Sequence, residues 1–241
     1  IAEGHKRQIR ITPAAVATFL GAAKFLREDE MDKNEVGVVN GLAWTSVGGE
    51  VLHIEATTMA GKGGMTLTGQ LGDVMKESVQ AALAYIRSHG SEFHINPDWF
   101  QENEIHVHVP AGAVPKDGPS AGCAMVTALV SVLTKVPVRK DVAMTGEFSL
   151  RGKVLPIGGL KEKILAAVRA GMKMVIIPEQ NRKDLEDIPK AMQKKVKIVP
   201  VKEIDEVLKL ALEKFPIPAP KGKAKPATPK VVVRPSKEIS A

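Results

Sequence analysis

The spacing of hydrophobic and polar residues predicts hairpins in the first half of the chain. The stretch "VGVVNGLAWTSVGGEVLHIEATTM" predicts two strands around a turn at Gly48 and Gly49, because β-type residues flank the two glycines. The next segment, "GKGGMTLTG", is predicted to be a glycine-rich loop. In "LGDVMKESVQAALAYIRSHG" the apolar residues recur at helical spacing, which predicts an amphipathic helix. Another strand is predicted from Ile105 to Val109.

The second half of the chain predicts strands that alternate with helices. The apolar run after "PKDGPSAG" predicts a helix to about Leu133, and "DVAMTGEFSLRGKVLPIGG" predicts strands with a tight turn at Arg151 and Gly152. A helix from Leu160 to Ala170 and the strand "MKMVIIP" follow, and then the strand "VKIVPV" with a last helix from residue 204 to residue 214. Hairpins followed by strand–helix alternation predict an α+β domain.

The two ends of the chain differ in composition from residues 36–215, which we expect to form the main domain. Residues 1–35 combine a predicted helix from Pro13 to Leu26 with the charged stretch "REDEMDKNE", as at the end of another module and its linker. The segment after Phe215 carries five Lys, one Arg and one Glu and holds most of the net charge of +7. Its Pro/Lys/Ala-rich composition cannot bury a core, so residues 216–241 are predicted to be a disordered basic tail.

The overall composition excludes several classes of protein. The sequence is 44% hydrophobic and 25% charged, which is ordinary for a soluble globular domain. No apolar run reaches the length of about 18 residues that a membrane span needs. The single Cys123 cannot form an internal disulfide, so we expect a reducing, cytoplasmic location. The first residue is Ile1, which indicates a fragment or a processed chain.

Ser120 lies where a predicted strand ends, a glycine-containing loop turns and a helix begins. In a purely structural interpretation it is a small packing residue, with Pro119 in the first helical turn and Asp117 as the capping residue. As a nucleophile it would need a base nearby and donors for the oxyanion. Because Pro119 cannot donate, the candidate donors are the amides of Asp117, Gly118 and Ser120.

The residue pattern alone does not identify the general base. His106 and His108 lie on one face of the strand that leads into the loop before Ser120 (residues 110–120, the serine loop), and we favour a partly solvated strand face for them over a Ser-His pair. Lys161 and Lys163 lie in the helix after "PIGG", and burial of either one could lower its pKa. Cys123 is a rival nucleophile one turn beyond the serine. No Cys/His cluster has the spacing of a zinc site, so we expect no metal.

Several long motifs, in order, resemble the proteolytic domain of bacterial Lon proteases. They are "GLAW", "VGGEVLHIEA", "IHVHVPAGAVPKDG", "PKDGPSAG" and "MTGEFSLRGKVLPIGGLKEK". The resemblance covers about residues 36 to 214. It implies an α+β fold particular to this family, hairpin-rich in its first half and strand–helix alternating in its second. It also implies a serine endopeptidase that uses a Ser-Lys dyad.

The resemblance assigns roles to individual residues. It makes Ser120 the nucleophile and Lys163, the second lysine of "GLKEK", the base. Thr145 of "MTGE" matches a threonine that hydrogen-bonds the dyad lysine. Asp117 and Gly118 match the loop that shapes the oxyanion site, and Trp44 of "GLAW" matches a strand near the substrate groove, where a packing role is equally compatible.

The resemblance also implies parts that this chain does not contain. A whole Lon protease has an ATPase module, yet no G-x-x-x-x-G-K-[ST] motif occurs here, and "AGKGGMT" has the wrong spacing. We therefore expect no cofactor in this chain, with ATP and Mg bound by the missing module, and residues 1–35 as the remnant of its small helical subdomain. The implied partners are unfolded or damaged proteins and, in the full-length protein, five further copies in a hexamer.

Two alternatives to peptide hydrolysis come from other classes of function. A nucleic-acid-binding module acting through the basic tail predicts salt-sensitive binding that disappears when the tail is deleted, and we expect DNA binding to be weak at most. A catalytically silent assembly platform predicts no turnover of any peptide.

Overall fold

The computed structural model describes residues 11–21, 33–45, 48–110, 112 and 114–217. Its strands are β1 (Val38–Thr45), β2 (Gly48–Ala60), β3 (Met65–Thr68), β4 (Asn103–His108), β5 (Val142–Met144), β6 (Glu147–Phe148), β7 (Val154–Leu155), β8 (Met174–Pro178) and β9 (Lys197–Val201). Its α-helices are α1 (Pro13–Leu20), α2 (Asp73–Ser88), α3 (Trp99–Glu102), α4 (Gly122–Thr134), α5 (Leu160–Arg169), α6 (Lys190–Gln193) and α7 (Ile204–Ala211). Two 3-10 segments cover Pro119–Ala121 and Glu179–Asp187.

Seven strands form one mixed sheet in the order β3-β4-β2-β1-β5-β8-β9. The strands β1, β2 and β4 pair antiparallel, whereas β5, β8 and β9 join β1 in parallel register. The short strands β6 and β7 make a separate hairpin. The long antiparallel strands therefore come from the first half of the chain, and the second half adds parallel strands that alternate with helices, which confirms the predicted α+β class.

Helices cover both faces of the parallel part of the sheet. On one face α4, together with α2 and α7, packs on side chains such as Met144 and Ile176. On the other face α5 packs on alternate residues of the same strands, including Ala143 and Val175. Parallel strands are commonly buried on both faces, and β5 and β8 are accordingly apolar throughout. Helix α4 is buried along most of its length, which explains its nearly unbroken apolar sequence.

The structure corrects two predictions in the first half. Thr45 pairs with Gly48, and Trp44 with Gly49, so both glycines belong to β2 and do not form the predicted turn. The predicted glycine-rich loop contains the strand β3, which pairs in parallel with β4. In β3 the exposed Thr66 and Thr68 alternate with half-buried residues, a period-two pattern that the neighbouring glycines obscured.

The helix predicted from Pro13 to Leu26 is shorter in the structure. It begins at a cap in which the Ala15 amide donates to the Thr12 hydroxyl (3.2 Å), and it ends at Gly21. Residues 22–32 and the tail beyond residue 217 lie outside the described residues, so the predicted disorder of the tail and the division at residues 35 and 215 stay predictions. No helix in the described ranges is both long and apolar enough to cross a membrane.

Candidate active site

Ser120 lies in the 3-10 turn that connects the loop after β4 to the buried helix α4. Gly118 precedes this turn with φ +118° and ψ 158°, a conformation that side-chain-bearing residues rarely adopt. Pro119 then occupies the first position of the turn, where its missing N–H removes no helical bond. The chain therefore turns sharply just before Ser120, and the serine is left half-buried rather than enclosed in the core.

The segment after β5 holds the main chain of Ser120. The Ser120 carbonyl accepts hydrogen bonds from the Gly146 amide (2.9 Å) and from the Thr145 hydroxyl (3.2 Å). The Cys123 amide in turn donates to the Gly146 carbonyl (2.9 Å). Because β5 is an inner strand of the sheet, these bonds attach the serine turn to the centre of the fold.

Lys163 projects from α5 into the interior, and only 1% of its surface is exposed. Its Nζ donates to the Thr145 hydroxyl at 3.2 Å. Burial lowers the pKa of Lys163 from the ordinary 10.5 to about 8, because removal from water disfavours the ammonium form. Lys161, by contrast, is exposed. The structure therefore shows which of the two lysines is buried, a question that helical periodicity alone could not answer.

Ser120 and Lys163 line the same surface cleft, which has a volume of about 460 Å³. Ala43 and Trp44, at the end of β1, also line this cleft. The remaining lining residues are Asp117, Gly118, Pro119, Pro156, Ile157 and Gly158. The Trp44 side chain is 53% exposed, so it lies at the cleft with much of its ring open to solvent.

Asp117 caps a helix other than the one predicted. Its Oδ1 accepts from the Met75 amide (2.9 Å) in the first turn of α2, 42 residues earlier in the chain, and does not cap the turn that follows it. The same oxygen accepts from the Gly118 amide (2.8 Å). The Gly118 amide is thus occupied in this conformation. No hydrogen bond among the described residues engages the amides of Asp117 or Ser120.

The other candidates lie away from this arrangement. The Thr68 hydroxyl bonds both imidazoles, at 2.9 Å from His106 Nε2 and 2.6 Å from His108 Nδ1, and neither histidine lines the cleft. Cys123 is buried, and burial raises the pKa of its thiol to about 12, so the thiolate that a cysteine nucleophile needs is disfavoured. Within the described residues, no group of three or more His, Cys, Asp or Glu side chains is placed to hold a metal ion.

Comparison with known proteins identifies the family. A model of the Lon protease (S16) C-terminal proteolytic domain matches residues 10–214, which is most of the chain. The chain belongs to this family. It is 97% identical over all 241 residues to the Lon protease of Trichlorobacter lovleyi and covers 30% of that protein. It is 70% identical over 227 residues (94% of the chain) to the Lon protease of Geobacter metallireducens, and 56% identical over 231 residues (95%) to that of Xanthomonas oryzae pv. oryzae.

The chain spans less than a third of the length of these curated relatives. Its sequence, its α+β topology and the family match agree that it has the fold of a Lon proteolytic domain. Three residues that line the cleft, Pro156, Ile157 and Gly158, were not predicted from the sequence. The signal was present in the Pro and Gly residues of "LPIGG", which favour an irregular, accessible segment directly before a helix.

Proposed function

We propose that this chain is a serine endopeptidase that hydrolyses peptide bonds of unfolded or damaged proteins, with Ser120 as nucleophile and Lys163 as general base. The observation that carries the proposal is that Ser120 and Lys163 line one cleft, where Lys163 is the only buried amine among the described lining residues. A buried lysine of lowered pKa is an effective base near neutral pH, because a substantial fraction of it is uncharged.

The bond to Thr145 supports this assignment. The Thr145 hydroxyl accepts a hydrogen bond from Lys163 Nζ and donates one to the Ser120 carbonyl. One hydroxyl therefore orients the amine relative to the serine turn. A base that is held in one position loses less entropy on reaching the transition state. The hydroxyl of Thr145 therefore acts as a positioning group and takes no proton from substrate.

The proposed reaction is acyl transfer in two steps. Neutral Lys163 takes the proton of the Ser120 hydroxyl while the serine oxygen attacks the peptide carbonyl carbon. The resulting ammonium gives its proton to the leaving amine as the C–N bond breaks, and an acyl-serine ester remains. In the second step Lys163 takes a proton from water, the hydroxide oxygen attacks the ester, and Ser120 leaves with that proton.

Backbone amides of the serine loop would stabilise the oxyanion that forms in each step. The amides of Asp117 and Ser120 have no bond within the described residues and lie in the loop at the cleft. Fixed donors of this kind act where charge develops, and each is worth about 3 kcal/mol in comparable sites. The Gly118 amide would contribute only after its bond to Asp117 had been released.

The sheet suggests how an extended substrate binds. Among the described residues, β5 pairs with β1 at Asn40 and Gly41, so Ala43 and Trp44 lie beyond this pairing. Ala43 and Trp44 line the cleft at this point, together with Pro156, Ile157 and Gly158. A peptide lying in the cleft could pair with β1 as an added strand, which requires an unfolded substrate.

The remaining functions are proposed for the full-length protein. There we expect ATP and Mg to drive unfolding through an ATPase module, the chain to assemble as a hexamer, and the protein to be cytoplasmic. Residues 1–35 would then join the proteolytic domain to the helical end of that module. DNA binding remains an untested prediction, because the basic tail lies outside the described residues.

The proposal is tested by hydrolysis of casein and of a short fluorogenic peptide without ATP. The parent chain and Cys123→Ala are expected to cleave both, and Ser120→Ala neither. Cleavage by Ser120→Ala at the parent rate would place the nucleophile elsewhere. A parent chain that cleaves neither substrate would favour the silent assembly platform.

A further inference from the structure

Lys116 is a buried lysine that the proposed mechanism does not use. Its side chain is only 8% exposed, and it does not line the cleft of Ser120 and Lys163. Among the described residues, Lys163 is the only other buried lysine. Burial of an ammonium group is costly unless the group is well hydrogen-bonded, so the location of Lys116 calls for a structural reason.

The Lys116 ammonium joins two segments that are distant in sequence. Its Nζ donates to the carbonyl of Gly69 (3.0 Å), which directly follows β3, and to the carbonyl of Val114 (3.0 Å), which lies in the serine loop. An ammonium has three donors and no acceptor, so it can bind several carbonyl oxygens at once. Without it, the carbonyls of Gly69 and Val114 would each lose this donor.

The main chain reinforces this connection. The Lys116 amide donates to the Gln70 carbonyl (3.0 Å), and the Lys116 carbonyl accepts from the Gly72 amide (2.7 Å). The next residue, Asp117, caps α2 through the Met75 amide. The serine loop is thus attached to the segment between β3 and α2 through its main chain and the Lys116 side chain, and to the first turn of α2 through the Asp117 side chain.

We infer that Lys116 is a positioning residue for the serine: its ammonium fixes residues 114–118 against the Gly69–Gly72 segment and so sets where Ser120 lies relative to Lys163. This inference rests on the proposed function, because it concerns the placement of the proposed nucleophile. Lys116 itself touches neither the reacting atoms nor the substrate cleft.

The short distance in sequence explains how the effect reaches Ser120. Only Asp117, Gly118 and Pro119 separate the two residues, and the proline ring fixes one of the intervening dihedral angles. A shift of the loop at Lys116 is therefore passed on to the serine. Displacement of a reacting group by about 1 Å can lower the rate about 100-fold.

The test compares Lys116→Met, Lys116→Arg and the exposed-lysine control Lys62→Met in the whole 241-residue chain. Methionine keeps the apolar stem but removes the donors, whereas arginine keeps donors for the two carbonyls. We measure kcat and KM on a fluorogenic peptide, the thermal midpoint, and amide hydrogen exchange along the chain.

We expect Lys116→Met to lower kcat about 10- to 100-fold with little change in KM. Exchange should become faster in residues 69–75 and 114–122 and stay unchanged in β8 and α7. Lys116→Arg should recover much of the kcat, and Lys62→Met should match the parent. Should Lys116→Met not fold, Lys116→Gln replaces it in the same comparison.

Two results would overturn the inference. One is a Lys116→Met chain with unchanged kcat and unchanged exchange in the serine loop. The other is a loss of activity that arginine does not restore and that accompanies faster exchange throughout the chain, which indicates a general structural role. If the parent chain shows no turnover, the proposed function fails, and the exchange pattern alone still decides whether Lys116 holds the loop.

Discussion

The Lys163 amine donates to the hydroxyl of Thr145 at 3.2 Å, deep in the interior beside the serine turn. The Thr145 hydroxyl carries a single proton and directs it to the Ser120 carbonyl (3.2 Å). The hydroxyl oxygen is therefore left to accept from Lys163. This arrangement connects α5, the end of β5 and the serine turn through one side chain.

Replacement of Thr145 by valine tests whether this connection matters for turnover. We expect Thr145→Val to lower kcat about 10- to 100-fold, because the amine of Lys163 is no longer held in one orientation. Thr145→Ser should retain most of the activity. Thr127→Val is the matched control, since Thr127 is also buried but bonds the Cys123 carbonyl within α4. Equal kcat for Thr145→Val and the parent would contradict the positioning role.

The pH dependence of hydrolysis follows from the burial of Lys163. The rate at low substrate concentration should rise as the amine loses its proton, with an apparent midpoint near the lowered pKa of about 8. An exposed lysine would give a midpoint near 10.5. The measurement is kcat/KM of the parent chain across the neutral and alkaline range. A rate that is already constant below neutral pH would contradict a lysine base.

The same burial should reduce the stability of the chain. Since the pKa of Lys163 is lower in the folded state, the unfolded chain binds more protons between pH 8 and 10.5, and stability rises across that window. Below pH 8 the buried amine lowers the free energy of unfolding by its full amount, up to about 3 kcal/mol. Lys163→Met should therefore raise the free energy of unfolding at neutral pH, by an amount that declines towards pH 10.5.

Urea denaturation of the parent and of Lys163→Met, at neutral pH and near pH 10.5, measures this change in the free energy of unfolding. Lys161→Met is the control, because Lys161 is exposed on the same helix and its replacement should change the free energy of unfolding little. A Lys163→Met chain that is less stable than the parent at neutral pH would show that the buried amine stabilises the fold.

Replacement of Gly159 tests the packing between the start of α5 and Trp44, which lines the cleft. Its φ is +67°, and a Cβ added there would lie 2.2 Å from the Trp44 indole. Gly159→Ala should therefore lower the free energy of unfolding by more than about 1 kcal/mol and shift the fluorescence of Trp44. A Cβ on the neighbouring Gly158 would meet nothing within 4 Å, so Gly158→Ala should cost less than about 0.5 kcal/mol. Equal costs at both positions would contradict the described packing.

Much of the fold could be predicted from local pattern. The amphipathic period of α2 and the apolar strands of the second half gave correct elements, because burial of one face or of both leaves a clear periodicity. Two errors occurred where glycine was taken as the signal of a turn or a loop. Gly48 and Gly49 belong to β2, and the glycines around Met65 flank a strand. Glycine permits a turn but does not require one.

The site was less predictable, because its parts meet only in three dimensions. The spacing of apolar residues predicted Ser120 at the start of a helix. It could not identify which of Lys161 and Lys163 is buried, because both flank the same apolar stripe. Their exposure is decided by how α5 packs on the sheet, a property of distant residues. The cap that Asp117 makes on α2 joins residues 42 positions apart, so the local sequence pointed to the wrong helix.

The most direct test of the Ser120–Lys163 assignment is the initial rate of hydrolysis of an unstructured fluorogenic peptide by Lys163→Ala and Lys161→Ala, side by side with the parent chain. The two lysines share a helix and differ in burial, so each variant controls for the other. We predict that Lys161→Ala cleaves at the parent rate and that Lys163→Ala loses at least about 100-fold, as expected when a general base is removed. Hydrolysis that persists in Lys163→Ala, or that disappears in Lys161→Ala instead, would contradict Lys163 as the base.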